Sequence, residues 1–391
     1  MKKLISVVLV MAFLAFNMVN LIKGEEAFKP SLDFTGSRFA IGYLDSESGG
    51  SYPKGSFQMP EAKLRFNLQM FPEMKATVRM NLNNSTFSSV DYMYVDYSNL
   101  FSTIAPALKD SSFNPKIRFG LLKVDIGEET WGNNMVEATT VNPSATNTGA
   151  SDEGLQLFQT LAQDTVGIPL KWSLSVTNGN TTTGVDNRQA KAICAKVGVN
   201  PINELYIATS FYNSGALGSQ SAAMTYAGLA TPPTNATEWT RSITELDIRY
   251  DIQSGKENRL EPGSPAWSDS KAFIRLAYGQ FTDNGKDTVA PITKVTDRLG
   301  NYYFLEGYYN ATDKIYVAAR YSFVGFNKST VYASLNSVNA NDYTRITAGA
   351  GFRLSGNTHF KAEYMSNSAT VPSTAVEPKT NQVSVLLTTK Y

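Results

Sequence analysis

The chain ends NQVSVLLTTKY, Asn381 to Tyr391. Counting back from the end, Tyr391, Thr389, Leu387, Val385 and Val383 share one parity. Lys390, Thr388, Leu386, Ser384 and Gln382 share the other, which is mostly polar. Alternation sustained over some ten residues predicts a β-strand with one apolar and one wet face. Such a strand fits the edge of a soluble sandwich or one stave of a membrane barrel. The rest of the chain has to decide between them.

Working outward, the same alternation recurs in short segments separated by polar, Gly-, Asn- and Ser-rich connections. It predicts strands near 32–44, 60–71, 74–82, 89–97, 116–126, 154–162, 168–178 and 188–199, then 202–212, 240–251, 271–282, 302–310, 313–324, 342–354, 357–366 and 380–391. That makes about sixteen, an even number, as expected of a transmembrane antiparallel β-barrel with both ends on one side. Short connections fall at Phe71-Pro72-Glu73, Gln163–Gly167, Asn200-Pro201, Ala311-Thr312 and Ser355-Gly356. They alternate with long polar ones near 45–59, 127–153, 213–239, 283–301, 325–341 and 367–379. Short turns on one side and long loops on the other are a barrel property, not a sandwich property. Connections 98–115 and 252–270 are longer than this rule prefers, and the first contains a candidate short helix, Leu100 to Leu108.

Charge is sorted by face. Lys63, Arg65, Asn67 and Gln69 oppose Leu64, Phe66, Leu68 and Met70; Glu245, Asp247, Arg249 and Asp251 oppose Leu246, Ile248 and Tyr250. A charge facing lipid at mid-bilayer costs about 2–4 kcal/mol, so confinement to one face is what a barrel requires. Arg118 and Lys123 break the pattern by falling on opposite parities, which predicts a bulge or a strand end between them.

Composition agrees. The 391 residues are 42% hydrophobic with a mean hydropathy of −0.22, which looks soluble, yet 12% are aromatic, with 20 Tyr and 21 Phe. Alternation hides a barrel from bulk hydropathy, while aromatic girdles raise the Tyr and Phe content. A net charge of +1 gives no overall basic field for nucleic acid. One cysteine, Cys194, excludes an intrachain disulfide framework. One histidine, His359, argues against histidine-rich metal sites and acid–base catalysis, so neither an enzyme nor a cofactor is expected. Met1-Lys2-Lys3 followed by the apolar block Leu4 to Phe16 predicts a signal peptide over 1–24 and export, with the barrel domain over 25–391. A membrane-anchoring helix is the alternative for that segment.

Sixteen or so strands enclose an aqueous channel. Its predicted pore-lining cations are Lys63, Arg65, Lys75, Arg79, Arg118, Lys171, Lys196, Arg249, Arg275, Arg320, Arg345 and Arg353, together with Lys314 and Lys361. They outnumber the predicted inward carboxylates, Glu204, Glu245, Asp247, Asp251, Glu306 and Glu363. A net positive wall lowers the barrier for anions. The third outer connection, Gly127 to Glu153, contains no Lys or Arg. It is expected to fold into the lumen as a constriction loop carrying Glu128, Glu129, Trp131 and Glu137, its carboxylates opposing the basic wall across a transverse field. An ordinary surface loop is the alternative.

The stretches YMYVDYSNL (92–100), IRFGLLKVDIGEETWGNN (117–134) and KWSLSVTNGN (171–180) resemble the strand–turn–strand core, the following strand and the Asn-Gly loop of the phosphate-selective porin family. The resemblance implies a homotrimeric outer-membrane porin. No phosphate-binding residue carries over, because that family's Lys-rich lumen and arginine ladder have no match here. A terminal aromatic in an alternating strand likewise resembles bacterial outer-membrane barrels. That assigns Tyr391 as an assembly signal read by the barrel assembly machinery. The expected function is a water-filled channel in the bacterial outer membrane, surrounded by its lipid. It would pass small hydrophilic solutes and ions with a weak preference for anions, and bind no nucleic acid. A phosphate- or polyphosphate-selective channel is one alternative, and a secreted soluble β-rich binding protein or adhesin is the other.

Overall fold

The computed structural model describes residues 28–47, 55–82, 89–105, 111–129, 134–146, 148–149, 151–179, 190–218, 225–226, 237–254, 270–286, 298–326, 333–335, 338–340, 342–370 and 379–391. The predicted signal peptide, Trp131 and most of the 252–270 connection lie outside these residues.

Among the described residues sixteen antiparallel strands close on themselves. They are β1 (Arg38–Ser46), β2 (Ser56–Phe71), β3 (Met74–Asn81), β4 (Ser89–Tyr97), β5 (Lys116–Lys123), β6 (Ser151–Leu161), β7 (Leu170–Thr177) and β8 (Ala192–Ile202). The second half supplies β9 (Leu205–Asn213), β10 (Glu238–Ser254), β11 (Ser270–Lys286), β12 (Arg298–Asn310), β13 (Ile315–Phe326), β14 (Asp342–Arg353), β15 (Thr358–Thr370) and β16 (Lys379–Lys390). Each pairs with its neighbours in sequence, and β1 pairs with both β2 and β16, so Arg38 stands opposite Lys63 on one side and Lys390 on the other. Closure leaves no unpaired strand edge, the condition for backbone to cross a hydrocarbon layer. Two short pieces, Ser31–Asp33 on β2 and Leu217–Gly218 on β10, extend the sheet.

Every predicted strand is present, with its ends moved by a few residues. The long connection after β4 does hold a helix, α1 (Leu100–Ile104), and a single turn, α2 (Gln163–Val166), caps the connection after β6. One turn is displaced. The sequence reading put it at Asn200-Pro201, whereas β8 runs on to Ile202 and the chain reverses at Asn203-Glu204. Pairing with β9 shifts register between Val199 and Ile202, and the exposed Pro201 falls in that irregularity, where no ladder hydrogen bond is asked of it. At β5 the ladder to both neighbours is unbroken. The mixed parity comes instead from Gly120, whose φ of +124° twists the strand just before it ends at Lys123.

The barrel is inside out relative to a soluble protein. Along β12 the buried set is Arg298, Gly300, Tyr302, Phe304, Glu306, Tyr308 and Asn310, while Leu299, Leu305 and Tyr309 are exposed. Leu305 is 48% exposed and its neighbour Glu306 only 1%. The same reversal runs round the wall: Ile193, Phe211, Leu246, Ile274, Val317, Ile346, Phe360 and Leu387 all face outward. An apolar belt outside and charge inside is the arrangement hydrocarbon imposes.

Candidate functional site

Two adjoining features stand out among the described residues: the third outer connection and a basic cavity beside it. The connection leaves β5 at Lys123 and, over residues 124–129 and 134–146, lies against side chains of the buried barrel face. Gly127 has a φ of +60°, a conformation that favours glycine, and a Cβ there would meet the Glu245 carboxylate at 2.2 Å. Part of the docking is apolar. Val124, Ile126 and Ala145 pack with Cys194, Tyr212, Phe281, Tyr302 and Val324, and Val136 and Val141 pack with Ala40, Leu44 and Leu386. Burying each valine contributes about 1.5–3 kcal/mol.

Charged contacts fix the orientation of the segment. Lys361 donates to the carbonyls of Met135, Val136 and Ala138 at 3.0, 2.9 and 2.5 Å. Glu363, two residues along the same strand face, accepts from the amides of Val141 and Asn142 at 2.7 and 3.0 Å. Arg345 donates to the Pro143 carbonyl at 2.9 Å, and Ser322 Oγ accepts the Ala145 amide at 2.9 Å. Because β13–β15 alternate, Ser322, Arg345, Lys361 and Glu363 all reach the same side and read one stretch of loop backbone.

The loop carboxylates Glu128, Glu129 and Glu137 stand differently from the expectation. Glu128 accepts from Lys196 at 2.7 Å and from the Tyr206 hydroxyl at 2.6 Å. Glu129 meets Arg320 at 3.3 Å and accepts the Ser144 amide at 2.7 Å. Glu137 meets Arg38 at 2.7 Å and Lys390 at 3.0 Å. Each therefore touches the cations it was expected to oppose across a gap. They act as anchors that neutralise the wall rather than as one pole of a transverse field. Burial pushes the pKa of Glu128 up, but Lys196 and Lys171 pull it back further and leave it below the ordinary 4.5. Glu137 is lowered in the same way, Arg38 and Lys390 outweighing burial. Asp152 and Glu153, read as loop residues, belong to β6.

The wall itself is more evenly charged than the sequence count. Lys63 and Arg79 share Asp91, Arg118 meets Asp96, Arg249 meets Asp251, and Arg275 and Arg320 share Glu306. Lys196 also meets Asp125. The reading from sequence omitted Arg38, Arg241, Arg298 and Lys390 among the cations and Glu61, Asp91, Asp96, Asp125 and Asp283 among the carboxylates. Asp91 was hidden by a bulge: Arg79 pairs with Tyr92 and Met80 with Val90, so Asp91 is the extra residue and its carboxylate turns toward Arg79 and Lys63. Arg241, Asp283 and Arg298 form a buried group. Asp283 and Arg298 lie beyond the strands the alternation was read over, whereas Arg241, inside 240–251, was passed over. Arg353 turns to the Asp313 carbonyl and the Tyr308 hydroxyl. Lys75 is partly exposed near the turn after β2, and Lys314, expected to face inward, is exposed in the turn before β13. Glu204 sits in the turn between β8 and β9, where its carbonyl accepts the Asp251 amide.

Between the loop and strands β1–β7 lies a cavity of about 320 Å³. Arg38, Arg65, Arg79, Arg118, Lys123, Lys171 and Lys390 line it, against Asp125 and Glu137. Tyr92 and Tyr94 line it too, with the guanidinium of Arg79 4.2 Å from the first ring centroid and that of Arg118 3.9 Å from the second. Four cations of the sequence list, Arg65, Arg79, Arg118 and Lys171, meet here.

No protein-family model and no curated protein matches the chain. Solved structures do resemble it. The outer membrane channel DcaP of Acinetobacter baumannii superposes with a TM-score of 0.62 at 12% identity, over 95% of this chain and 100% of that one. OmpT, an outer membrane protein of Vibrio cholerae in trimer form, gives 0.57 at 14% identity over 93% and 100%. The anion-selective porin from Comamonas acidovorans gives 0.54 at 10% identity over 93% and 100%. The fold of this chain is that of outer-membrane barrels of the porin type.

Proposed function

We propose that the chain is a porin of the bacterial outer membrane, a water-filled channel through which small hydrophilic solutes and ions diffuse passively, with a weak preference for anions. The observation that carries this reading is the sorting of the wall: an apolar belt outside and a charged, closed sixteen-stranded lumen inside. Strands in that number leave an aqueous interior that side chains alone do not fill. The third connection narrows this interior, and the basic cavity beside it makes the narrowed region locally positive. Since most wall charges are paired, selectivity rests on that local excess and is weak. The fold likeness to solved outer-membrane channels supports a channel in place of an enzyme.

Export through the N-terminal segment, insertion by the barrel assembly machinery and assembly into a homotrimer belong to the same proposal. Kinship with the phosphate-selective porins extends, on this reading, to architecture and not to phosphate specificity. Reconstitution into liposomes tests it: uncharged sugars should enter at rates that fall with their size. Vesicles that remain impermeable to small sugars would overturn the channel reading.

A further inference from the structure

The described part of the connection after β4 folds back over the outer face of the barrel. On β7 the side chains of Lys171, Ser173, Ser175 and Thr177 are buried inward, so Trp172 shares the outward parity of Leu174 and Val176. Phe113 stacks on Trp172 with ring centroids 5.7 Å apart and an interplanar angle of 12°, and Phe101 of α1 lies 5.9 Å from Phe113. Gln159, opposite Trp172 on β6, donates to the Ser112 carbonyl at 2.7 Å. Asn114 ties the segment to α1: its Oδ1 accepts the Phe101 amide at 3.2 Å, and its Nδ2 donates to Asn99 Oδ1 at 3.3 Å. These bonds commit polar side chains of the segment to the protein itself and leave apolar ones outward.

Ile104, at the end of α1, is 66% exposed, and Phe113 is exposed beside it. Val166 of α2, Ile168 before β7 and Ile202 at the end of β8 are exposed too. They come from three successive connections at the end of the short turns, which faces the periplasm in such barrels. Across the barrel, the connections after β12 and β14 expose Thr312, Asp313, Lys314, Ser355 and Asn357 instead. Contiguous exposed apolar groups mark a surface that meets lipid or protein. Leu174, Val176 and Val197, farther along the same strands, belong to the outer belt, so the ledge prolongs the lipid-facing surface toward the periplasm. That continuity assigns lipid as the occupant.

We propose that α1, Phe113 and the connections after β6 and β8 form a seat that sinks into the phospholipid of the periplasmic leaflet along β5–β8. The inference rests on the outer-membrane reading above and adds a lipid contact to it. Aromatic and aliphatic side chains at the headgroup boundary gain by leaving water, and a short element with one apolar face lies there in the membrane plane. Because the seat occupies one side of the rim, it fixes the depth of that side while the polar turns opposite stay in water.

The test uses single thiols on a Cys194→Ser background, each carrying an environment-sensitive dye, in the full chain reconstituted into vesicles of phosphatidylethanolamine and phosphatidylglycerol. Ile104→Cys reports the seat, Val197→Cys the outer belt and Lys314→Cys a water-facing turn. Two quenchers are compared, iodide in the water on both sides and bromine on the lipid acyl chains. The dye at 104 should emit to the blue of the dye at 314, lose most of the iodide quenching and gain quenching by brominated lipid. Iodide quenching at 104 equal to that at 314 would overturn the seat, and lipid quenching at 197 would then leave the membrane reading intact. A dye at 104 shielded from both quenchers would mean that protein covers the ledge, which also overturns a lipid seat. Brominated lipid without effect at 197 would remove the membrane reading and the seat with it. Where Ile104→Cys fails to insert, Val166→Cys is read in its place against the same outcomes.

Discussion

The ammonium of Lys361 lies 2.9 Å from the carbonyl oxygen of Val136, across a sequence separation of 225 residues. The same group also holds the carbonyls of Met135 and Ala138, so one side chain of β15 terminates a turn of the third connection. Lys361→Met keeps the stem and removes the donor. Three carbonyls then lose a charged partner at about 1.5–3 kcal/mol each in contact strength, partly regained from water. The expected outcome is a channel of unchanged fold whose single-channel current becomes noisy and whose mean conductance rises. A quiet, wild-type trace would show that the segment holds its place without this lysine.

Glu128, Glu129 and Glu137 each neutralise wall cations by contact. Changing all three to Gln leaves Lys196, Arg320, Arg38 and Lys390 short of a counter-charge. Anion preference, read as the zero-current potential in a salt gradient, should increase, and current noise should rise with it. An unchanged potential would place these carboxylates away from the ion path.

Tyr391 is 71% exposed, yet its backbone amide donates to Ser37 and its carbonyl accepts from Gly36, fastening the last strand to the first. Deletion removes both the ring and these bonds, whereas Tyr391→Ser removes only the ring. If the aromatic ring is the assembly signal, the serine variant should lose most of its heat-modifiable fraction in the outer membrane. Loss in the deletion alone would assign Tyr391 to barrel closure and not to recognition.

Leu305 sits in the outer belt near the middle of β12. Leu305→Arg should cost about 2–4 kcal/mol in an unfolding titration in lipid vesicles, as a cation facing hydrocarbon does. An effect below that of Leu305→Ala would mean that this face of the barrel is covered by protein.

The architecture was legible because strand alternation and loop length are local properties. Val383 and Ser384 announce their faces without knowledge of any partner. The pairing of charges was not legible, because it joins residues far apart in sequence: nothing near Glu137 announces Arg38, and nothing near Glu363 announces Val141 and Asn142. Asp91 was missed because a bulge overrides parity, and Pro201 was misread because a turn signal can also mark a register irregularity near a strand's end. The apolar residues that seat the loop, Leu386 among them, sit on the face read as polar. Alternation cannot distinguish a side chain buried by lipid from one buried by an inserted segment.

The decisive measurement is the zero-current potential of the purified wild-type protein in a planar bilayer across a potassium chloride gradient, repeated at falling salt. At about 0.15 M the Debye length is about 8 Å, so a passing ion feels chiefly the nearest wall charges, and lower salt lengthens that reach. A potential that reports a modest anion preference, deepening as salt is lowered, is the predicted result. A potential that reports cation selectivity at any salt concentration would contradict it.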